Sequence, residues 1–594
     1  MHADPKPAAR ARGTRETPCV GASPLAPDCA GQDFFDLDKG LRPLLACYLP
    51  ARQLTQLEPH FRRLGVLAGG RLDELARIAD RNPPVLRSRD KFGRDEDTIE
   101  YHPAYCEMER IAFGDFQFHA MSHRAGVLGL DAPMHPVAKY AFQYLFVQAE
   151  FGLMCPISVS DTSIHLIRRY GSPKLKDYLL PRMLSGDLAA LWKGTQFMTE
   201  KEGGSDIGTL RTTARQERGV WRLYGEKWFC SHADADIALL LARPEDAPVG
   251  SKGLALFALP RRLANGERNS YRIVRLKDKL GTRSMASGEI VLAGALAYPV
   301  GRLDRGLKQM LDQVNLSRLS HGVRAAAMMR RCLNEALAVA RHRIAFGVPI
   351  IEHPLLRREL MKLMVPAEQA LSMIMATAAA MGEADAGSSE AAAVLRLMTA
   401  LVKFRCCRDN VPAATAAMEV RGGNGYIEEW VNARLVRDAQ VGLLWEGTSN
   451  INALDAIFRA VGKTRAHEAL RALLGRRLRE IAGVPAAFTS RLDTALARAL
   501  SLAEQVARSP QAEAQARRAS SALYHAASAV LLTWEGTHPG ADARRALLAR
   551  LVLEHRLTPQ DPLALEDAPW EQPAVAFLLA QSPVPLAKAG TLLA

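Results

Sequence analysis

Apolar residues recur at helical spacing from about Phe34 to Leu191, as in Pro136 to Phe151, and predict an all-helical domain. Polar clusters such as RNPPVLRSRDKFGRDED read as the loops between those helices. Between about Gln196 and Val300 the period falls to two. VWRLYGEKWF, IALLLA, LALFAL and YRIVRL, punctuated by Gly, Pro and Asn, predict a small β domain, either a barrel or a sandwich. Helical periodicity returns at Leu307: Leu307, Met310, Val314, Met328, Leu333, Leu337 and Ile344 share faces of a long helix that Pro349 would stop. Further long helices follow, separated near Gly387 and Gly422, and Pro366 inside the second predicts a kink. Residues 461 to about 555 form another Ala/Leu/Arg-rich helical region, and the remainder, with DPLALEDAPWEQP, is less regular.

Composition adds limits. At 594 residues, 48% hydrophobic and 24% charged, the chain is globular and long enough for three or four domains. Its nine Cys include no CxxC and no zinc spacing, and adjacent Cys406 and Cys407 are poorly placed to clamp one metal. Free thiols in a reducing cytosol, with no metal site, are the expectation. No apolar run approaches the roughly 20 residues that cross a bilayer, and residues 1–31 are polar and Pro-rich without a signal-peptide core. A soluble cytoplasmic protein with a disordered tail over 1–31 is expected; Asp4 and Glu16 fit a transit peptide badly. The net charge of +14 favours a polyanionic partner, whether nucleic acid, acidic lipid or phosphorylated substrate, and serves solubility equally well.

Five segments can carry chemistry. FMTEKEGGSD (Phe197 to Asp206) lies where helices give way to strands, and its glycines with Thr199 and Ser205 suit a phosphate or a flat polar ring, or simply a turn. KWFCS (Lys227 to Ser231) closes a strand, so Trp228 and Cys230 should share one face and Phe229 and Ser231 the other unless a bulge intervenes. RIAFG (Arg343 to Gly347) ends the long helix, where Arg343 complements the dipole or reaches a phosphate. RGGNGY (Arg421 to Tyr426) exposes backbone to a diphosphate or adenine, or caps a helix. In LLWEGTSNINALDAI, Thr448 or Ser449 can cap a helix. Glu446, among Leu443, Leu444 and Trp445, is a candidate general base of raised pKa, or a surface Glu at a helix N-terminus.

In this order the segments resemble the acyl-CoA dehydrogenase family, over about Asn82 to Ala460. The resemblance implies an α+β, mostly helical fold: a helical domain over 32–194, a β-barrel domain over 195–305 and a four-helix bundle over 306–460, here followed by an extra helical region over 461–594. It implies FAD between the β and C-terminal domains, with part of the site supplied by a neighbouring subunit of a homotetramer. Met198, Thr199, Gly204 and Ser205 would contact flavin and diphosphate. Trp228, Phe229, Cys230 and Ser231 would pack on the isoalloxazine, and Arg343, Phe346, Gly422, Gly423 and Gly425 would hold the diphosphate and adenosine end. Trp445, Gly447, Thr448 and Asn450 would complete the site. Glu446 matches the base of the family's Tyr-Glu-Gly-Thr motif, which takes the α-proton of an acyl-CoA thioester while the β-hydrogen passes as hydride to flavin N5. An electron-transferring flavoprotein is then the implied acceptor.

Within the family the chain is most similar to the AidB-type flavoproteins of the adaptive response to DNA alkylation, through MTEKEGGSD, KWFCS, RLKDKLGTRSMASGEI and WEGTSN. In that group a basic C-terminal region is associated with double-stranded DNA. Residues 461–560 here hold 15 Lys and Arg against 8 Asp and Glu, with Arg476, Arg477, Arg517 and Arg518 clustered as candidate contacts. An Arg-bearing solvated helix accounts for the same pattern. Two readings follow: an acyl-CoA dehydrogenase-like oxidoreductase, or a DNA-binding protective flavoprotein with little such activity. Cys230 stands where most of the family has a Thr supporting flavin N5, so Ser231 is the expected substitute.

Overall fold

The computed structural model describes residues 25–563 and 568–594. Its N-terminal part is helical: α1 (Phe34–Leu37), α2 (Leu41–Tyr48), α3 (Ala51–Gly69), α4 (Arg71–Arg81), α5 (Pro103–Glu109), α6 (Pro136–Val147), α7 (Met154–Tyr170) and α8 (Pro173–Met183). The starts follow capping chemistry. His135 accepts the Val137 N–H ahead of α6, and Ser172 accepts the Leu175 N–H ahead of α8, each with Pro in the first turn.

Residues 1–24 of the expected tail lie outside the described residues, but residues 25–31 are packed rather than disordered. Cys29 is buried, its N–H donates to Glu335, Gly31 donates to the Gly69 carbonyl at 2.6 Å, and Arg421 binds the Pro27 carbonyl. A second correction concerns the expected loop after α4, which forms a hairpin of β1 (Val85–Arg89) and β2 (Asp95–Glu100). Only Leu86 and Ile99 of its strands pack on the β-domain core, too few apolar positions to make a period-2 signal. Their order comes from the β domain: Arg268 and Arg272 both grip buried Asp97, and Ile99 joins that domain's core.

The β domain comprises β3 (Gly194–Phe197), β4 (Thr213–Glu217), β5 (Val220–Ser231), β6 (Ile237–Pro244), β7 (Ala255–Pro260), β8 (Tyr271–Leu276) and β9 (Ser287–Pro299). Pairing runs β4 to β5, β9, β7, β6 and back to β4, so five strands close a barrel, with β8 added on β9 and β3 parallel on β6. Closure leaves β6 buried on both faces, which is why IALLLA is apolar throughout.

Then come α9 (Gly306–His342), a short hairpin of β10 (Ile344–Ala345) and β11 (Val348–Pro349), α10 (Pro354–Asp385), α11 (Ser389–Arg421), α12 (Val431–Val441) and α13 (Ser449–Leu454). The long helix therefore stops before Ile344, which enters β10 and is exposed. α9, α10 and α11 pack side by side, and α13, continued by π-helical turns at Asp455–Val461, packs on α11. α10 runs on through Pro366. Contrary to the reading of the apolar runs, α10 is long and apolar enough to cross a bilayer, yet nearly all of that stretch is buried inside the bundle.

Beyond it lie α14 (Ala466–Glu480), α15 (Ala486–Arg508), α16 (Ala516–Thr537), α17 (Arg544–Val552), α18 (Glu571–Leu579) and α19 (Leu586–Thr591). This region is bolted to the bundle by buried charge. Arg545 reaches Glu368 of α10 at 2.7 Å and Glu535 of α16 at 2.8 Å, while Arg330 of α9 pairs with Glu368 and with Asp38.

Candidate active site

α7 packs on both α9 and β3, and this three-way junction places the best-supported site. Glu446 occupies the turn from α12 to α13 with a left-handed φ of 56°, followed by Gly447 at 91°. A non-glycine residue pays for that conformation. In return Glu446 is turned toward β3 and α9: its Oε1 accepts from Gln196 Nε2 at 2.6 Å and Ser317 Oγ at 3.0 Å. Arg318 Nε holds the Glu446 carbonyl at 3.1 Å, and its Nη1 is anchored on Asp455.

Burial pushes the Glu446 carboxyl above the ordinary value of 4.5, opposed by Ser317, by the charge of Arg318 and by Gln196. Lys403, buried beneath and donating to the Gly442 carbonyl at 2.5 Å, has its pKa lowered by burial. Buried His321 is kept neutral, well below 6.5, and meets Trp445 edge-on at 5.5 Å. A carboxylate held by two neutral donors in an apolar surround is equipped to accept a proton.

The end of β5 faces the same junction. Pairing with β9 shifts between Lys227 and Cys230, so a bulge puts Trp228 and Phe229 on one face, both beneath the Lys277 ammonium, at 3.3 and 5.0 Å from the ring centroids. Cys230 instead points into the barrel core with no exposed surface, so it cannot touch a cofactor, and Trp228 does not share its face. Ser231 lies beside Cys155 of α7, which hydrogen-bonds to it. The Trp228 N–H donates to the Thr199 carbonyl at 2.8 Å, joining FMTEKEGGSD to this face. Within that segment Glu200 is structural, binding Lys227 Nζ at 2.7 Å and the Arg211 and Thr212 N–H groups. Met198 is half-buried against the neighbouring apolar cluster, whereas Gly204 and Ser205 are exposed.

The remaining predicted cofactor residues form a second group. Phe346 and Gly347, both left-handed, are the tip of the β10–β11 hairpin, and the Phe346 ring is 96% exposed. Arg343 approaches the glycine loop: a Cβ on Gly422 would lie 3.0 Å from its Nη1, one on Gly423 would meet open space, and Gly425 is buried against Met418. No hydrogen bond joins this group to Glu446 or β5 among the described residues. Each group suits part of a large ligand such as FAD: the Trp228–Phe229 face and the unpaired Gln196 Oε1 suit a flat polar ring, and the exposed Phe346, the bare glycine backbone and Arg343 suit phosphates and a second ring.

Thr448 precedes α13 but makes no side-chain cap, and Asn450 is exposed. Buried Asn452 does the work instead, donating to the Gly447 and Thr448 carbonyls at 2.7 and 3.0 Å. Gln196, Ser317, Arg318, His321, Lys403 and Asn452 were not singled out from sequence. Ser317, His321 and Arg324 at i, i+4 and i+7 interrupt an apolar stripe of α9, a signal that was legible.

The four candidate DNA arginines do not form one patch. Arg476 pairs with Glu390 at 2.6 Å and Arg477 with Glu480 at 2.9 Å, and Arg477 stacks on Trp534 near the end of α16. Arg517 and Arg518 are exposed at the start of that helix, roughly 25 Å away along its axis.

Family models match three successive stretches: the adaptive response protein AidB N-terminal domain over 25–188, the acyl-CoA dehydrogenase middle domain over 195–295 and the acyl-CoA dehydrogenase C-terminal domain over 304–462. The chain is 31% identical over 458 residues to acyl-CoA dehydrogenase family member 11 of Caenorhabditis elegans, covering 75% of this chain and 72% of that one. It is 34% identical over 397 residues to the putative acyl-CoA dehydrogenase AidB of Escherichia coli strain K12, covering 65% and 70%. The structure of C. elegans ACDH-11 in complex with C11-CoA superposes with a TM-score of 0.84 at 26% identity over 92% of this chain and 94% of that one.

Proposed function

The chain belongs to the acyl-CoA dehydrogenase family, in its AidB-type branch of FAD-dependent oxidoreductases acting on acyl-CoA, and on that premise we propose that Glu446 is the base of an α,β-dehydrogenation. The observation that carries this is the Glu446 carboxylate itself, turned by a left-handed backbone onto Gln196 and Ser317 beside the β5 face. Bound FAD supplies the two-electron acceptor for the β-hydrogen. Trp228 and Phe229 offer their rings to the flavin and Ser231 a hydroxyl. Glu446 accepts the α-proton, and its N–H is available to the thioester carbonyl, where charge builds as that proton leaves. Arg318 keeps the carboxylate aimed. The C11-CoA complex of the C. elegans relative supports an acyl thioester as the ligand.

The same reading extends to a homotetramer, because the Arg343–Phe346 and Gly422–Gly425 group is separate from Glu446 and suits a neighbouring subunit's FAD. It also extends to a cytoplasmic setting with an electron-transferring flavoprotein as acceptor. The test is anaerobic titration of the FAD-loaded protein with acyl-CoAs, following oxidised-flavin absorbance. Bleaching by the wild type and none by Glu446→Gln with FAD retained is expected. A protein that dithionite reduces but no acyl-CoA bleaches would overturn it.

A second reading, duplex DNA binding, rests on Arg517 and Arg518 alone, exposed beside Arg408. Charge reversal of both should weaken binding and flatten its salt dependence; an unchanged slope would remove that surface.

A further inference from the structure

Buried lysines in this protein come with carboxylates, and Lys403 of α11 departs from that rule. Lys139 has Asp161 at 2.6 Å and Lys227 has Glu200 at 2.7 Å. Lys403 is equally buried yet makes no ion pair among the described residues. Its ammonium donates to the main-chain carbonyl of Gly442 at 2.5 Å and to the Cys407 sulfur one turn on, and the carboxylate whose charge it feels is that of Glu446. Burying an ammonium without a bonded counter-charge is unfavourable, so the bond that this one makes has to matter to the fold or to the site.

Gly442 stands where α12 gives way to the turn that carries Glu446. The helical ladder runs on past the end of α12: the Leu444 N–H donates to the Val441 carbonyl at 3.0 Å and the Trp445 N–H to the same carbonyl at 3.1 Å. The next rung would join the Glu446 N–H to the Gly442 carbonyl, four residues back. That rung is not made. Lys403 holds the carbonyl, and the Glu446 N–H has no acceptor among the described residues. The left-handed φ of Glu446 does not account for the missing bond, because its N–H lies in the peptide plane ahead of its own Cα, which Trp445 orients. The rest of Glu446 is committed: its carboxylate to Gln196 from β3 and Ser317 from α9, its carbonyl to Arg318. Only the N–H is left to a ligand.

We propose that Lys403 is a positioning residue of the dehydrogenation, which by holding the Gly442 carbonyl keeps the Glu446 N–H free to donate to the thioester oxygen of an acyl-CoA. This rests on the base role of Glu446 and deepens it. As Glu446 takes the α-proton, the C–H electron pair moves toward the thioester carbonyl, and the β-hydrogen leaves with its own pair to FAD. An N–H already waiting at that oxygen stabilises the developing charge without reorganising. Without Lys403 the Gly442 carbonyl is buried and lacks a donor, an unfavourable state that the Glu446 N–H relieves by closing the rung. The donor is then drawn away from the substrate while the carboxylate keeps Gln196 and Ser317.

The experiment compares hexanoyl-CoA with S-hexyl-CoA, the thioether that lacks the carbonyl oxygen. Binding is measured by calorimetry on the FAD-loaded Glu446→Gln protein, which keeps the N–H and stops turnover, first with Lys403 intact and then with Lys403→Met or Lys403→Gln added. With Lys403 intact the thioester should bind about 10-fold more tightly than the thioether. Lys403→Met should bring the ratio close to one at unchanged FAD content, and Lys403→Gln, whose shorter amide holds Gly442 less firmly, should fall between. A side chain that only filled space would weaken both ligands alike and leave the ratio where it was. A ratio near one with Lys403 intact overturns the inference, and so does a ratio that Lys403→Met leaves unchanged. If Lys403→Met does not fold, Lys403→Gln decides: a lowered ratio upholds the inference and an unchanged one overturns it. With Glu446 restored, Lys403→Met should slow anaerobic bleaching of the flavin by hexanoyl-CoA about 10- to 100-fold. If the wild type is not bleached at all, the base role of Glu446 fails, and the binding ratio still decides the role of Lys403.

Discussion

Arg318 holds Glu446 by its main chain, with Nε 3.1 Å from the Glu446 carbonyl oxygen. The guanidinium is itself fixed by Asp455 at 2.9 Å, and Asp455 by Arg396 at 2.7 Å, so a buried ion chain pins a backbone that would otherwise relax out of the left-handed region. Arg318→Lys keeps the charge but loses the two-point grip. Flavin reduction by acyl-CoA should fall by about 10- to 100-fold with FAD content unchanged, checked by single-turnover kinetics.

The carboxylate works only when ionised, so reduction should rise with pH through the Glu446 pKa, which burial has moved above 4.5. Ser317 opposes that rise by donating to the charged form. Ser317→Ala should therefore shift the acid limb of the pH–rate profile to higher pH, and a limb that stays in place or moves lower would contradict the arrangement.

Phe346 pays for a left-handed φ while its ring packs on almost nothing. Asn suits that turn position better, so Phe346→Asn should leave unfolding free energy within about 0.5 kcal/mol or raise it slightly. FAD affinity, followed by flavin fluorescence on titration into apoprotein, should nevertheless drop.

Arg545 pairs with two buried carboxylates, Glu535 and Glu368, the second of which Arg330 also binds. Arg545→Met leaves both buried with less counter-charge and should cost about 3–5 kcal/mol, measured by urea unfolding.

Asp438 is buried near Asp80 and Glu150, with Arg434 and the Thr282 N–H as its favourable partners. Burial first, then Asp80, pushes its carboxyl from 3.8 up to about 7. Because the folded state keeps a proton that the unfolded state has lost, its contribution is full below about pH 4 and is lost as pH rises to about 7. Asp438→Asn should flatten the stability profile across that window; thermal unfolding at about pH 5 and about pH 8 reads the difference.

How much of this was legible depended on whether a residue's role was local. The change of period at Gln196, and its return at Leu307, located the barrel and α9 because each element carries its own pattern. Glu446 stood out through its own neighbours in sequence. The β1–β2 hairpin escaped because its order comes from Arg268 and Arg272, far along the chain, and Cys230 was placed on the wrong side because one bulge reverses every later facing. Gln196, Ser317 and Arg318 are ordinary polar residues until the fold brings them to one carboxylate. The four arginines of α14 and α16 shared a composition but not a surface.

The buried chain from Asp38 through Arg330, Glu368 and Arg545 to Glu535 spans α1's neighbourhood, the bundle and the last third of the protein. Modularity is therefore lost at this seam: cutting the chain after α13 would strip Glu368 of one arginine and bare the α10 and α11 surfaces that α16 covers. In this chain the C-terminal region is therefore not a detachable cassette, because the charges at positions 38, 330, 368, 535 and 545 are balanced as one buried set across the seam.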